Sequence, residues 1–219
     1  MADITRVRIA FLRLIFAAVM VLSLFAGCGT HRSFELLEKN HPVKPGSLVV
    51  FSGTNNKLDT ILAESVTQEL QRRSAFRVVT QNEVAKGIPG YPYRFTQAAE
   101  EDEPAEYRAS KALVEIAQRK LKTTYVFVVW TETLYKSTRM IGYVIPVSTY
   151  STQVGGDVFE YPGGTLIGKA LFQVKDNGTT LSAEGEEQNI EKMMEDAGKQ
   201  MVDYFLDATH TKRPKAGEK

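Results

Sequence analysis

Cysteine is almost missing from this chain of 219 residues: Cys28 stands alone, which rules out an internal disulfide. A domain without that staple must be held by its apolar core, so the core is expected to be large. Histidine is nearly as scarce. His31, His41 and His210 all fall outside the segments with strand or helix patterning, so general-base, Ser-His and His-metal schemes, which need an imidazole held among converging partners, find no support. Charge of one sign is also lacking, with 27 Lys and Arg against 26 Asp and Glu. That balance argues against a general nucleic-acid binder, which carries a basic stripe. Gly163 with Gly168-Lys169 has the spacing of a phosphate loop, yet Ala170 replaces the Ser or Thr and the stretch enters a strand rather than a helix. The acidic run Glu100-Glu101-Asp102-Glu103 lacks the alternating ligands and glycine of a calcium loop and reads as a solvated loop. No cofactor, metal or catalytic residue is assigned.

What the chain does have begins at its start. Arg6, Arg8 and Arg13 precede an uncharged, mostly apolar stretch from Leu14 to Gly27. That stretch is shorter than the roughly 20 residues of a spanning helix and reads as a cleaved signal, residues 1–27. Cys28 follows Ala26-Gly27 directly. Here the chain resembles a bacterial lipoprotein signal, with Ala26, Gly27 and Cys28 matching the lipobox and Phe25 standing where Leu is usual. The resemblance implies cleavage between Gly27 and Cys28, a diacylglycerol thioether on Cys28, and a further acyl chain on its freed amino group. One acyl chain holds a protein marginally and two hold it stably, at about 0.8 kcal/mol per buried methylene. Gly29, rather than Asp, is the residue that permits sorting to the outer membrane of a Gram-negative cell. The expected partner at this end is therefore the membrane, reached through acyl chains on Cys28, with the domain facing the periplasm. The leader holds only Asp3 against its three arginines, so the mature chain stays close to neutral.

Residues 28–45 are polar and end in Pro42 and Pro45, which predicts a flexible tether reaching at most roughly 60 Å. Its apolar trio Phe34, Leu36 and Leu37 fits packing on the domain equally well. Residues 46–207 form the expected single domain, and 208–219 a disordered basic tail.

Within the domain, Ser47 to Phe51 reads as a central strand, and Asn55 and Asn56 as caps for a helix from Lys57 to Arg72. Phe76 to Thr80 is a second strand, which makes a β-α-β crossover. A second helix is expected from Ala105 to Leu121 with Ala109, Leu113, Ile116, Ala117 and Leu121 on its apolar face. Thr124 to Trp130 is apolar on both sides and belongs mid-sheet. Consecutive strands follow: Tyr143 to Val154, a short piece at Asp157 to Tyr161, and Thr165 to Lys175. Gly155-Gly156 and Pro162-Gly163-Gly164 separate them, and Asp176-Asn177-Gly178 is read as a hairpin turn into Thr179 to Ala183. A last helix spans Glu186 to Leu206, with Met193, Met194, Met201 and Phe205 facing the sheet, and Trp130 is expected in the core. The class is α/β (α+β): a mixed sheet of about five strands and three main helices in the order β-α-β-α-β-β-β-α.

That order, with Ser47-Leu48-Val49-Val50-Phe51, Phe76-Arg77-Val78-Val79 and Ala170 to Asp176 leading into Asn177-Gly178, resembles the periplasmic α/β domains of the CsgG, LpoB and TolB amino-terminal group. The resemblance implies a non-catalytic protein that assembles or regulates envelope machinery through an envelope protein partner. Tyr91, Tyr93 and Phe95, in a segment broken by Pro and Gly, are the candidate partner-binding loop, the alternative being that these aromatics fold back as a lid over the sheet edge. One alternative is a CsgG-like oligomeric outer-membrane secretion component with barrel strands from Thr138 to Lys175. Ile145, Val147, Thr149 and Ser151 do not sustain its outward apolar face. An envelope hydrolase is the other alternative, with no cleft carboxylate pair to name.

Overall fold

The computed structural model describes residues 33–37, 42–92, 96–97, 108–109, 111–141, 145–178 and 183–213, all within the unit Arg32–Lys219. In chain order the elements are β1 (Ser33–Leu36), β2 (Ser47–Ser52), α1 (Lys57–Arg73), β3 (Arg77–Val78), α2 (Gln81–Gly87), β4 (Thr96–Gln97) and β5 (Arg108–Ala109). Then come α3 (Lys111–Leu121), β6 (Tyr125–Thr131), β7 (Tyr135–Ile141), β8 (Ile145–Glu160), β9 (Thr165–Gly178) and α4 (Ala183–Thr209). The class is α/β with a mixed sheet, and the described residues supply seven strands to it and four helices. The sheet order is β1-β9-β8-β6-β2-β3, with β7 paired to β8, while β4 and β5 form a separate two-stranded ladder.

The sheet's centre follows from composition. β2 and β6 pair in parallel from Leu48↔Tyr125 to Ser52↔Val129, and every residue of β6 is buried. Such a strand is apolar throughout because helices cover both of its faces. On one side α1 and α4 pack Leu62, Val66, Leu70, Met194, Met201 and Phe205 against Leu48, Val50, Phe127 and Val129. On the other, α2 and α3 bring Val84, Val114 and Ala117 onto Val49, Phe51, Val126 and Val128. The two large helices approach closely at Ser65 and Gly198, where a β-carbon on the glycine would stand 2.4 Å from the serine Oγ.

Several expectations need correction. The stretch expected as tether is shortened, because Ser33–Leu36 pairs antiparallel with β9 and Phe34 enters the core. Phe34 fits there because Gly168 has no β-carbon; one would lie 2.4 Å from the phenyl ring. The domain boundaries at 46 and 207 move outward for a similar reason at the other end. Ala75 N–H donates to Thr211 C=O and Arg213 N–H to Arg73 C=O, so residues up to 213 are part of the domain rather than of a tail. Phe76 to Thr80 yields only a two-residue strand, since Thr80 instead caps α2 in a reciprocal capping box with Glu83.

The second helix starts at Lys111 rather than Ala105, because Arg108–Ala109 pairs with Thr96–Gln97. Its buried face is Val114, Ala117 and Gln118, so Leu113 and Ile116 are exposed. Gly155-Gly156 does not break the meander. β8 runs through both, since they leave room for the rings of Trp130 and Phe127. Nor is Asp176-Asn177-Gly178 a turn: those residues continue β9, paired with Tyr150, Thr149 and Ser148. The chain does reverse at the expected Pro162-Gly163-Gly164 break, over Tyr161 to Gly164, with Gly163 and Gly164 at φ of 95° and 56°, a conformation glycine adopts without strain. Ala183, expected at the end of a strand, opens α4, and residues 179–182 lie outside the described set.

Candidate functional site

Of the residues expected to carry function, Gly27 and Cys28 lie outside the described residues, as do Tyr93 and Phe95. Ser33, five positions after Cys28, is the first described residue and already a strand position. Tyr91 is half-buried, with its ring against Phe51 at a centroid distance of 5.7 Å. Its hydroxyl accepts from Ser52 N–H at 3.1 Å and donates to Gln81 Oε1 at 2.9 Å. These contacts turn Tyr91 back onto the sheet edge, and the reason lies in the sheet. β3 stops at Val78, so β2 runs on past its neighbour with backbone groups that no strand pairs. Gln81 Nε2 donates to Val50 C=O at 3.0 Å, and the Tyr91 hydroxyl takes the Ser52 amide. The two side chains stand in for the missing strand, and burial pushes the Tyr91 phenol above its usual range despite the Ser52 amide.

The buried carboxylate of Asp59 was not foreseen. It sits in the first turn of α1, capped by Asn56, whose Oδ1 accepts the Asp59 amide at 2.7 Å. Asp59 Oδ1 accepts both the amide and the hydroxyl of Thr131, at 2.7 and 2.6 Å, and Oδ2 accepts the Thr54 hydroxyl at 2.6 Å. Both oxygens are engaged by neutral donors. Such a group pins the end of β6 to the start of α1, its lone pairs already committed to the fold. The only sequence signal for it is an acidic residue three positions past an N-cap asparagine.

Two shallow grooves flank α4. One, about 270 Å³, lies between α4 and β9 and presents Gln173, Lys175, Asp176, Lys192, Asp196 and Gln200. The other, about 190 Å³, lies between α1 and α4 and is lined by Glu64, Glu69, Glu195, Lys199 and Gln68 among others. Gly163 and Gly168 fall in a turn and a strand, and no helix N-terminus follows them. His210 is exposed in a turn, and His31 and His41 lie outside the described residues. Among the described residues no three His, Cys, Asp or Glu side chains converge as a metal site.

No family model matches the chain, and no curated protein matches it in sequence. Among solved structures it is similar to protein XCC0632 from Xanthomonas campestris, at 8% identity over 78% of this chain and 91% of that one, with a TM-score of 0.44. It is similar to lipoprotein GNA1162 from Neisseria meningitidis at 10% identity, covering 74% and 99% of the two chains, TM-score 0.44. A minor lipoprotein from Acinetobacter baumannii gives 8% identity over 78% and 98%, TM-score 0.38. Likeness at this level assigns no activity.

The chain's own charge layout is more informative. The side covered by α1 and α4 is acidic along α4, where Glu187 and Glu191 hold Lys57 and push its ammonium up to about 12. Glu186 holds Lys136 at 2.7 Å, which keeps the carboxyl below its usual range. On the opposite side, α2 and α3 cover β2 and β6, and among the described residues no helix continues over β8, β9 and β1. Strand alternation places Lys169, Leu171, Gln173 and Lys175 of β9 on that open side, together with Tyr135 and Arg139 of β7. Leu37, Leu171 and Tyr135 are 49%, 51% and 65% exposed there.

Proposed function

We propose that this protein is a lipid-anchored protein of the bacterial cell envelope, acylated at Cys28, that acts as a non-catalytic adaptor or assembly factor. The observation that carries the anchor is the lone cysteine placed directly after Ala26-Gly27 at the close of a short apolar leader. The strand at Ser33–Leu36 supports it: only residues 29–32 separate Cys28 from the sheet, so the acyl chains would hold a rigid body close to the bilayer. Gly29 supports delivery to the outer membrane, with the domain in the periplasm. The adaptor reading rests on a rigid α/β body with a broad exposed sheet face.

Metabolic labelling with an alkyne fatty acid tests the anchor. The parent chain should take up label and run as the processed form, whereas Cys28→Ala should take up none and keep its leader. Equal labelling of both, or of neither, refutes it. In-cell crosslinking followed by mass spectrometry tests the adaptor: recovery of one envelope protein across repeats is expected, and recovery of a bound small ligand with no protein partner overturns it.

A further inference from the structure

We propose that the part of the sheet face that no described helix covers, running from Leu37 and Leu171 to Tyr135 beside α2 and α3, lies against the anionic headgroup surface of the bilayer; this rests on the reading of Cys28 as the lipid-bearing residue. The argument begins with reach. Five residues span at most about 18 Å, so the membrane surface must pass within that distance of Ser33. Ser33 pairs with Leu171, and Leu171 with Gly155, so these three share one level of the sheet. From Gly155 back to Ile145, β8 extends ten residues, or about 33 Å, flanked by β7 and β9. β1 runs from Ser33 toward Leu36 as β9 runs back from Leu171 to Gly168, so the first residue of β1 faces the arm.

An upright arm would overshoot the farthest position of Cys28 by about 15 Å, half the thickness of the hydrocarbon core. Ser137, Thr138 and Arg139 would then lose water with no apolar girdle to replace it. An arm pointing away from the bilayer would leave exposed Leu37, Leu171 and Tyr135 in water, so the orientation that uses them lays the arm along the surface, on one of its two broad faces.

Charge and side-chain type choose between them. The helix-covered side carries Glu64, Glu186, Glu187, Glu191, Glu195 and Asp196 against Lys57, Lys136, Lys192 and Lys199, an excess of acid that anionic lipid would repel. The open side carries Lys169, Lys175 and Arg139 against Glu35 and the buried Asp157, with Leu37, Leu171 and the amphipathic ring of Tyr135 exposed between them. Basic residues interleaved with leucine and tyrosine suit the headgroup layer, where an aromatic ring lies at the boundary and cations meet phosphate.

The test uses the full acylated chain in vesicles of phosphatidylethanolamine and phosphatidylglycerol, with lipids brominated near the headgroup end of the acyl chain. Tyr135→Trp and, on the helix side, Gln68→Trp are each made with Trp130→Phe. A parallel pair keeps Trp130 and subtracts the parental signal, in case Trp130→Phe does not fold. Quenching at position 135 should exceed that at position 68 by about twofold or more, as for an aromatic seated at the interface. Equal quenching, or stronger quenching at position 68, in chains that float with the vesicles overturns the proposal and leaves the anchor intact. Chains that do not float with the vesicles overturn both readings.

Discussion

Gly155→Ala is the sharpest probe of how this sheet is built, because the chain's single tryptophan reports on it directly. Trp130 and Gly155 are registered partners on β6 and β8, and the indole lies across the glycine. A β-carbon at residue 155 would stand 2.4, 2.5 and 2.7 Å from Cε2, Cζ2 and Nε1 of that ring. Ordinary contact is at least a full ångström longer, so the indole must withdraw. It has little room, since Trp130 is only 5% exposed and its backbone is fixed by pairing with β8. Overpacking of this kind costs about 1–3 kcal/mol, and replacing glycine within a strand returns at most about 1 kcal/mol. A net loss of about 1–2 kcal/mol should lower Tm by roughly 2–8 °C in a domain of this size. Urea unfolding followed by tryptophan emission measures both effects, with the folded-state emission shifted to the red. Trp130→Leu removes the ring, so adding Gly155→Ala to it should cost about 1 kcal/mol less than in the parent, a coupling a double-mutant cycle resolves. An unchanged emission maximum with an unchanged or raised midpoint would show that the ring is free to move, and would refute the account of why β8 tolerates two glycines in mid-strand.

Asp59→Ala removes the acceptor for three hydrogen bonds and leaves the Thr131 amide buried without a partner, so a loss of about 3 kcal/mol is expected in urea unfolding. Asp59→Asn keeps one carbonyl and should cost clearly less; equal losses would mean that the site matters only for its volume. The capping box of α2 gives a pH signature. Hydrogen bonds from the Thr80 amide and hydroxyl hold Glu83 below its ordinary value of 4.5. A depressed carboxylate contributes stability that is present above the unfolded value and is lost as pH falls through the folded one. Glu83→Gln should therefore be less stable than the parent at neutral pH and approach it below about pH 4, and a gap that widens on acidification would contradict the box.

How much of this was legible depended on whether the signal was local. β6 announces itself because seven consecutive apolar or β-branched residues need no partner to be recognised, and α1 does so through Asn56 and its apolar repeat. Asp176-Asn177-Gly178 misleads for the converse reason. It has good turn chemistry, but pairing along β8 outweighs it, whereas Pro162-Gly163-Gly164 was legible as a break because two glycines there adopt positive φ. The face of α3 was misjudged because Leu113 and Ile116 are as apolar as Val114, and only the position of β6 decides which of them is covered. The Tyr91 and Gln81 side chains that finish the edge of β2 could not be read from pattern, since their task arises from β3 ending early.

The reassignment of Ser33–Leu36 has the largest consequence for function. Phe34, read alone, is one aromatic residue in a polar stretch, and what makes it core is Gly168, more than 130 positions later in the chain. Once Phe34 is seated, with the rings of Phe127 and Phe205 at centroid distances of 6.3 and 5.3 Å, only residues 29–32 lie between Cys28 and the first described strand. A long tether would let the domain search the periplasm for a distant partner. With Cys28 acylated as proposed, a short one would confine the domain to the membrane surface and, with the uncovered sheet face against the headgroups, would leave the acidic side along α4 to a protein partner.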